Sequence, residues 1–169
     1  VETEGRSAVL SEKEKKLSSV VTLLNDELGD RFSHFDNLPR EARIRALNEE
    51  LSSITERITQ AFPGVGAGYY HKALDAIITY APSALYQSNV GITIAPDHPG
   101  HEVMDSNPPV VYSGRQVRGD ILNSMIPIER HGEVIGYIWA NELTEDIRQQ
   151  AWRMDVRIIA VLAAGLVSS

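Results

Sequence analysis

Two imidazoles and a carboxylate fall within five residues at His98-Pro99-Gly100-His101-Glu102. Neutral histidine and carboxylate are the ligand types of many divalent metal sites. The order is H-x-x-H-E rather than the H-E-x-x-H of a helical metalloprotease motif, and no helix spans Pro99-Gly100 to carry both rings on one face. The chemistry carried forward is hydrogen bonding, with His98 donating to an anionic ligand. The plainer alternative is a turn in which His98 caps the loop and His101 starts a short helix. No metal and no other cofactor is expected. Arg115 and Arg118 flank the next stretch. A guanidinium holds a carboxylate through two parallel hydrogen bonds. Arg118, beside Gly119 and just upstream of Asn123, is the better placed of the two; a solvated surface charge is the alternative. Tyr70, Tyr80 and Ser83 add hydroxyls that line a ligand or sit satisfied in the core.

Other chemistry is excluded early. The chain has no cysteine, so thiolate ligands, disulfides and cysteine nucleophiles are all absent. Ser, His and Asp occur without a local hydrolase signature. Gly64-Val65-Gly66-Ala67-Gly68 follows a helical pattern and enters a strand, the reverse of a phosphate-binding loop. The 16 Lys and Arg against 23 Asp and Glu give a formal net charge of -7, which argues against a nucleic-acid partner and against docking on anionic lipid.

The positioning elements read as follows. Leu10, Leu17, Val20, Val21, Leu24 and Leu28 recur every three or four residues and predict a helix over residues 4–28, stopped by Gly29-Asp30. Leu10 and Leu17 are expected to stay exposed and to suit a parallel contact with a second copy. A second helix starts at Pro39 and carries the stripe Ile44, Leu47, Leu51, Ile54, Ile58 before Pro63-Gly64 ends it. The period then shortens. β-branched and aromatic residues over 64–80 suggest two short strands joined by a tight turn. Residues 84–107 read as loop with two short helices, one near 101–106. Strands follow at 110–113, 120–130 and 133–141, the last two joined at His131-Gly132, a hairpin turn that pairs Arg130 with Glu133 as a cross-strand ion pair. Thr144 looks like the N-cap of a final helix.

This order, helix, helix, five hairpin-linked strands with a loop insertion, helix, predicts an α+β fold with an antiparallel sheet covered by helices on one side. Strict alternation from the His131-Gly132 turn places Ile126, Ile128, Ile135, Tyr137 and Trp139 on the helix-facing side. It leaves Asn123, Met125, Val134, Gly136, Ile138 and Ala140 on the other. That second face carries small residues and one amide. It has room for a packed loop or a small ligand beneath residues 83–119.

The residues Asp75, Ile78, Pro82, Ser83, Met125, Pro127, Ile128, Arg130, Gly132 and the run 134–142 together resemble the extracytoplasmic PAS-like, or Cache, sensor domains of bacterial membrane histidine kinases. The resemblance covers nearly the whole chain in order of elements. It implies a five-stranded antiparallel sheet with long N-terminal helices packed on one face and a C-terminal helix leading to the membrane. It also implies a small molecule bound on the loop-covered face, a homodimer through the N-terminal helix, and an output module elsewhere. That module is most often a histidine kinase, otherwise a chemotaxis transducer or a diguanylate cyclase, so this domain itself is not an enzyme. Where citrate-sensing relatives carry basic residues this chain has Asn123 and Met125, which points to a smaller or less charged ligand such as a small carboxylate. The expected ligand-binding set is Tyr70, Tyr80, Ser83, His98, Arg118, Asn123 and Met125. A cytoplasmic PAS-like regulatory module is the alternative reading.

Three segments follow: residues 1–38 as signalling helix and connection, 39–143 as sensor core, and 144–169 as C-terminal helix. The last ends in an apolar run over 158–167, about half of the roughly 20 residues that a lipid span needs. It is read as the start of a transmembrane helix, with this domain periplasmic or extracellular; a buried C-terminal helix is the alternative.

Overall fold

Heptad-like spacing on the first two segments forms two amphipathic helices, because each apolar stripe needs a partner surface. α1 spans Glu2–Leu28 and α2 spans Arg40–Gln60. The computed structural model describes residues 2–108, 110–116 and 121–142, with the side chains of all of these except 2–10 and 113–116. Gly29 takes a φ of 52° just after α1, the left-handed conformation that ends helices at little cost to glycine. Pro39 caps α2 from an extended conformation. The whole α2 stripe, Ile44, Leu47, Leu51, Ile54 and Ile58, is buried, as its spacing requires.

Between the helices and their sheet lies the main core. Leu17, Val20, Val21, Leu24 and Leu28 of α1 join it beside the α2 stripe. Leu17 has no exposed surface. The expectation of an exposed Leu17 available to a second copy is therefore corrected: the sheet has already covered it. The Leu10 side chain lies outside the described residues.

Five strands follow: β1 (Val65–His71), β2 (Ala76–Ala81), β3 (Tyr112–Gln116), β4 (Ile121–Arg130) and β5 (Glu133–Glu142). They form one sheet in the order β2-β1-β5-β4-β3, with every pairing antiparallel. The antiparallel α+β architecture is thus as expected, with β5 in the middle. Both central residues of the β4–β5 turn, His131 and Gly132, have positive φ, as the tightest right-twisting hairpin turn requires. Arg130 does pair in register with Glu133. Its guanidinium, however, turns to the C-terminal end of α1, donating to Gly29 O at 2.8 Å and Asn25 O at 3.0 Å. Those carbonyls have no partner within the helix, so they draw the cation away from the expected cross-strand carboxylate.

The largest correction concerns the faces of β5. Register runs Arg130 to Glu133 and Glu129 to Val134, but then Ile128 to Gly136 and Pro127 to Tyr137. Ile135 is an extra residue, a β-bulge. Beyond it every side chain of β5 is reversed from the strict alternation. Ile138 and Ala140 enter the main core with Ile128, while Tyr137 and Trp139 join Met125 in a second cluster on the opposite face. A second bulge at Ile78, where Tyr69 pairs with Thr79 but Tyr70 with Ile77, puts both Ile77 and Tyr80 on that opposite face.

Three short helices sit in the insertion: α3 (Ser83–Tyr86), a 3₁₀ turn (Gln87–Asn89) and α4 (Pro99–Asp105). α4 packs on Tyr137. A Cβ on Gly100 would stand 2.6 Å from Tyr137 Cε1, so only glycine permits this approach. The C-terminal helix expected from Thr144 onward lies outside the described residues.

Candidate ligand-binding site

The two bulges and the insertion enclose a cavity of about 290 Å³ on the sheet face away from α1 and α2. Its size is at the lower end for small-molecule sites. β4 supplies Ile121, Asn123 and Met125, β5 supplies Tyr137, Trp139 and Asn141, and β2 supplies Ile77 and Tyr80. The roof is Asn89, Ile92, Thr93, Ile94 and His98. The roof is tied down at several points. Gly91 N–H donates to Ile77 O at 2.7 Å and Ile77 N–H to Ile92 O at 2.9 Å. Thr93 Oγ1 donates to Asp75 O at 2.7 Å.

Four of the expected residues meet here: Tyr80, His98, Asn123 and Met125. His98 takes the capping role read from its sequence context and also stands on the cavity wall. It caps α4, its Nδ1 accepting from Gly100 N–H at 2.9 Å, and it lines the cavity. With Nδ1 used as an acceptor, the neutral ring carries its proton on Nε2. Burial and the neighbouring His101 push the imidazole below its ordinary value, against a smaller opposite effect of Asp97. His101 Nε2 lies 3.0 Å from Ala95 O. Among the described residues no three His, Cys, Asp or Glu gather to hold a metal ion.

Tyr70 shares the face but not the cavity wall. It is fully buried and stacks on Tyr137, with ring centres 5.2 Å apart. Its hydroxyl donates to Asp75 Oδ1. Burial and that hydrogen bond push the phenol far above its ordinary range, so it stays a donor. Tyr70 therefore supports the wall from below and fixes Asp75, whose carbonyl holds the roof. Ser83 lies elsewhere. It starts α3, and its N–H donates to Glu56 Oε1 at 2.5 Å, on the side facing α2. Arg118 lies outside the described residues; Ile121, three positions on, lines the cavity.

Residues missed from sequence are the aromatic wall, Tyr137 and Trp139, together with Asn141. Trp139 meets the Tyr80 ring edge-on at 5.1 Å and Tyr137 at 5.7 Å. Asn141 Nδ2 donates to Tyr80 Oη at 3.0 Å. Gly68, beneath, is required by this wall: a Cβ there would stand 2.5 Å from Trp139 Cζ2. The available signal was the pair Gly66 and Gly68 on a strand, which marks close approach by a neighbouring side chain.

Next to Asn141, Glu142 points to the other face, where its carboxylate meets Lys16 Nζ of α1 at 2.8 Å. Only 2% of the Glu142 side chain is exposed. The end of β5 therefore touches the cavity and α1 through consecutive residues. A larger cleft of about 780 Å³ opens at the strand turns, lined by Arg43, Arg130, Lys72 and His131 among others. Its two guanidiniums already donate to backbone carbonyls, Arg43 to Phe32 O and His34 O, Arg130 to Gly29 O and Asn25 O. They brace the fold instead of presenting a free cation.

A solved structure, an extracellular ligand binding receptor from Desulfohalobium retbaense DSM5692, is similar over 75% of this chain and 25% of that one, with a TM-score of 0.42 and 18% identity. The signal transduction histidine-protein kinase AtoS of Escherichia coli (strain K12) is 78% identical over all 169 residues. The chain spans 28% of that relative's length. The family model described as the AtoS N-terminal domain matches residues 1–149, and the chain belongs to that family.

Proposed function

We propose that this chain is the ligand-sensing domain of a membrane-anchored histidine kinase, with a PAS-like (Cache) topology and a small organic molecule bound in the cavity of β2, β4 and β5. The observation that carries this reading is the joining of two things on consecutive residues of β5: Asn141 on the cavity and Glu142 on α1. The 78% identity to a histidine kinase supports the choice of output module. The kinase chemistry itself belongs to the parts of such a protein outside this chain.

The mechanism is a population shift. A ligand favours one arrangement of β5 against α1 only to the extent that it binds that arrangement better. Coupling of this kind is typically worth about 1–3 kcal/mol. Arg118, just upstream of the cavity-lining Ile121, supplies the cation for a small carboxylate. A location of this domain on the outer side of the membrane belongs to the same proposal. Among the described residues no helix is long and apolar enough to cross a membrane.

A thermal-shift screen of small monocarboxylates and amino acids tests this reading. A ligand at a hundred times its Kd stabilises by about 2.7 kcal/mol, or roughly 5–10 °C for a chain of this size. Trp139→Ala is expected to abolish that shift, and Arg118→Ala to abolish it for carboxylates. A shift untouched by Trp139→Ala removes the cavity as the site. One untouched by Arg118→Ala removes the carboxylate clamp.

A further inference from the structure

One atom of the cavity is unmatched. Asn123 is 5% exposed, pairs with Asn141 across β4 and β5, and lines the cavity, yet its Oδ1 is buried with no hydrogen-bond partner. Folded proteins seldom leave a buried amide oxygen unpaired, because it has lost its water and gained nothing. The other polar groups nearby are committed differently. His98 accepts at Nδ1, so its Nε2 proton is left to donate. Tyr80 Oη accepts from Asn141, so its own proton is left to donate. Thr93 gives its proton to Asp75 O. His98 and Tyr80 thus offer two donors, Asn123 Oδ1 is a buried acceptor left unmet, and the described lining includes no Asp, Glu, Lys or Arg. The rest of the described lining sets the Asn89 and Asn141 amides and the Tyr137 and Trp139 rings among aliphatic side chains.

We propose that Asn123 is the specificity-determining residue of this cavity, its Oδ1 accepting a hydrogen bond from a hydroxyl or N–H group on the ligand. The inference rests on the ligand-sensing reading above and narrows it. The ligand class is small molecules that carry a donor as well as acceptors, such as short hydroxy acids and small amides. Their unsubstituted parents leave Oδ1 unmet. Met125 and Trp139 flank the carbon skeleton, while His98 and Tyr80 meet the ligand's acceptors. A site built to hydrogen-bond a particular group discriminates strongly against the analogue that lacks it.

The test is calorimetric titration of the full chain with matched pairs, each a three- to five-carbon hydroxy acid or amide beside its unsubstituted parent, with lactate and propionate as the first pair. The donor-bearing member is expected to bind about tenfold tighter or more. In Asn123→Leu that preference disappears. Equal binding within pairs by the unmutated chain overturns the proposal. Discrimination that persists in Asn123→Leu overturns it too. If the Leu variant does not fold, the pair ratios of the unmutated chain and of Asn123→Ser decide. Failure of every compound to bind sinks the ligand-sensing reading itself, whereas binding without discrimination sinks only the role of Asn123.

Discussion

His71 is a buried imidazole with both nitrogens engaged. Nδ1 accepts from Leu74 N–H at 3.1 Å, Nε2 faces Phe32 O at 3.4 Å, and the ring lies against Phe32 at 4.7 Å. Burial, then the nearby Arg43, lowers its pKa from 6.5 to about 4. The folded value lies below the unfolded one, so the unfolded chain takes up the proton first as pH falls. The stabilisation is whole above pH 6.5 and is lost progressively down to pH 4, by about 3 kcal/mol in all. Urea unfolding at pH 7.5 and pH 4.5 is expected to show this loss, and His71→Phe to remove that share of it. Gly68 is a second residue with a sharp requirement. A Cβ there collides with Thr79 O as well as Trp139. Gly68→Ala is expected to cost about 3 kcal/mol, read as a lower thermal midpoint, and to weaken any ligand that rests on the displaced indole.

At the scale of elements, the Lys16–Glu142 pair joins α1 to the end of β5. Removing Lys16 takes a cation away from a carboxylate that is only 2% exposed. Lys16→Met is expected to destabilise the fold by about 3 kcal/mol. In a cycle with Glu142→Gln, a coupling of about 1–3 kcal/mol should appear in denaturant unfolding. The same elements show what could be read without coordinates. The α2 stripe and its burial were legible, because a 3.6-residue period survives any tertiary context. The hairpin turn and the antiparallel order of strands were legible from His131-Gly132 and the alternating runs. The faces of β5 were not. A single inserted residue, Ile135, reverses everything downstream of it, and no local composition marks it: a β-branched residue suits a bulge and a regular strand alike. That is why Tyr137, Trp139 and Asn141 were missed as cavity residues, while Asn123 and Met125, on the unbulged β4, were placed on the correct face. Ser83 was misplaced for a similar reason. Its position after β2 suggested the cavity, but α3 turns it toward Glu56 of α2.

For the whole molecule, α1 does two things. Its inner side closes the core through Leu17 to Leu28, and Leu23 remains 43% exposed on its outer side. A homodimer through this outer side is proposed, and Leu23→Glu is expected to shift sedimentation toward the monomer. Ligand and partner would then bear on the same helix from two directions.

The central place of β5 in the sheet has one more effect. Its amides are bonded to β1 on one edge and β4 on the other, while β2 and β3 stand at the rims of the sheet. Backbone protons at its core should be among the last to exchange with deuterium, long after those of the rims. Asn141 and Glu142 thus sit on the least compliant ribbon of the sheet, so force arriving at Asn141 is passed along instead of being absorbed by local fraying.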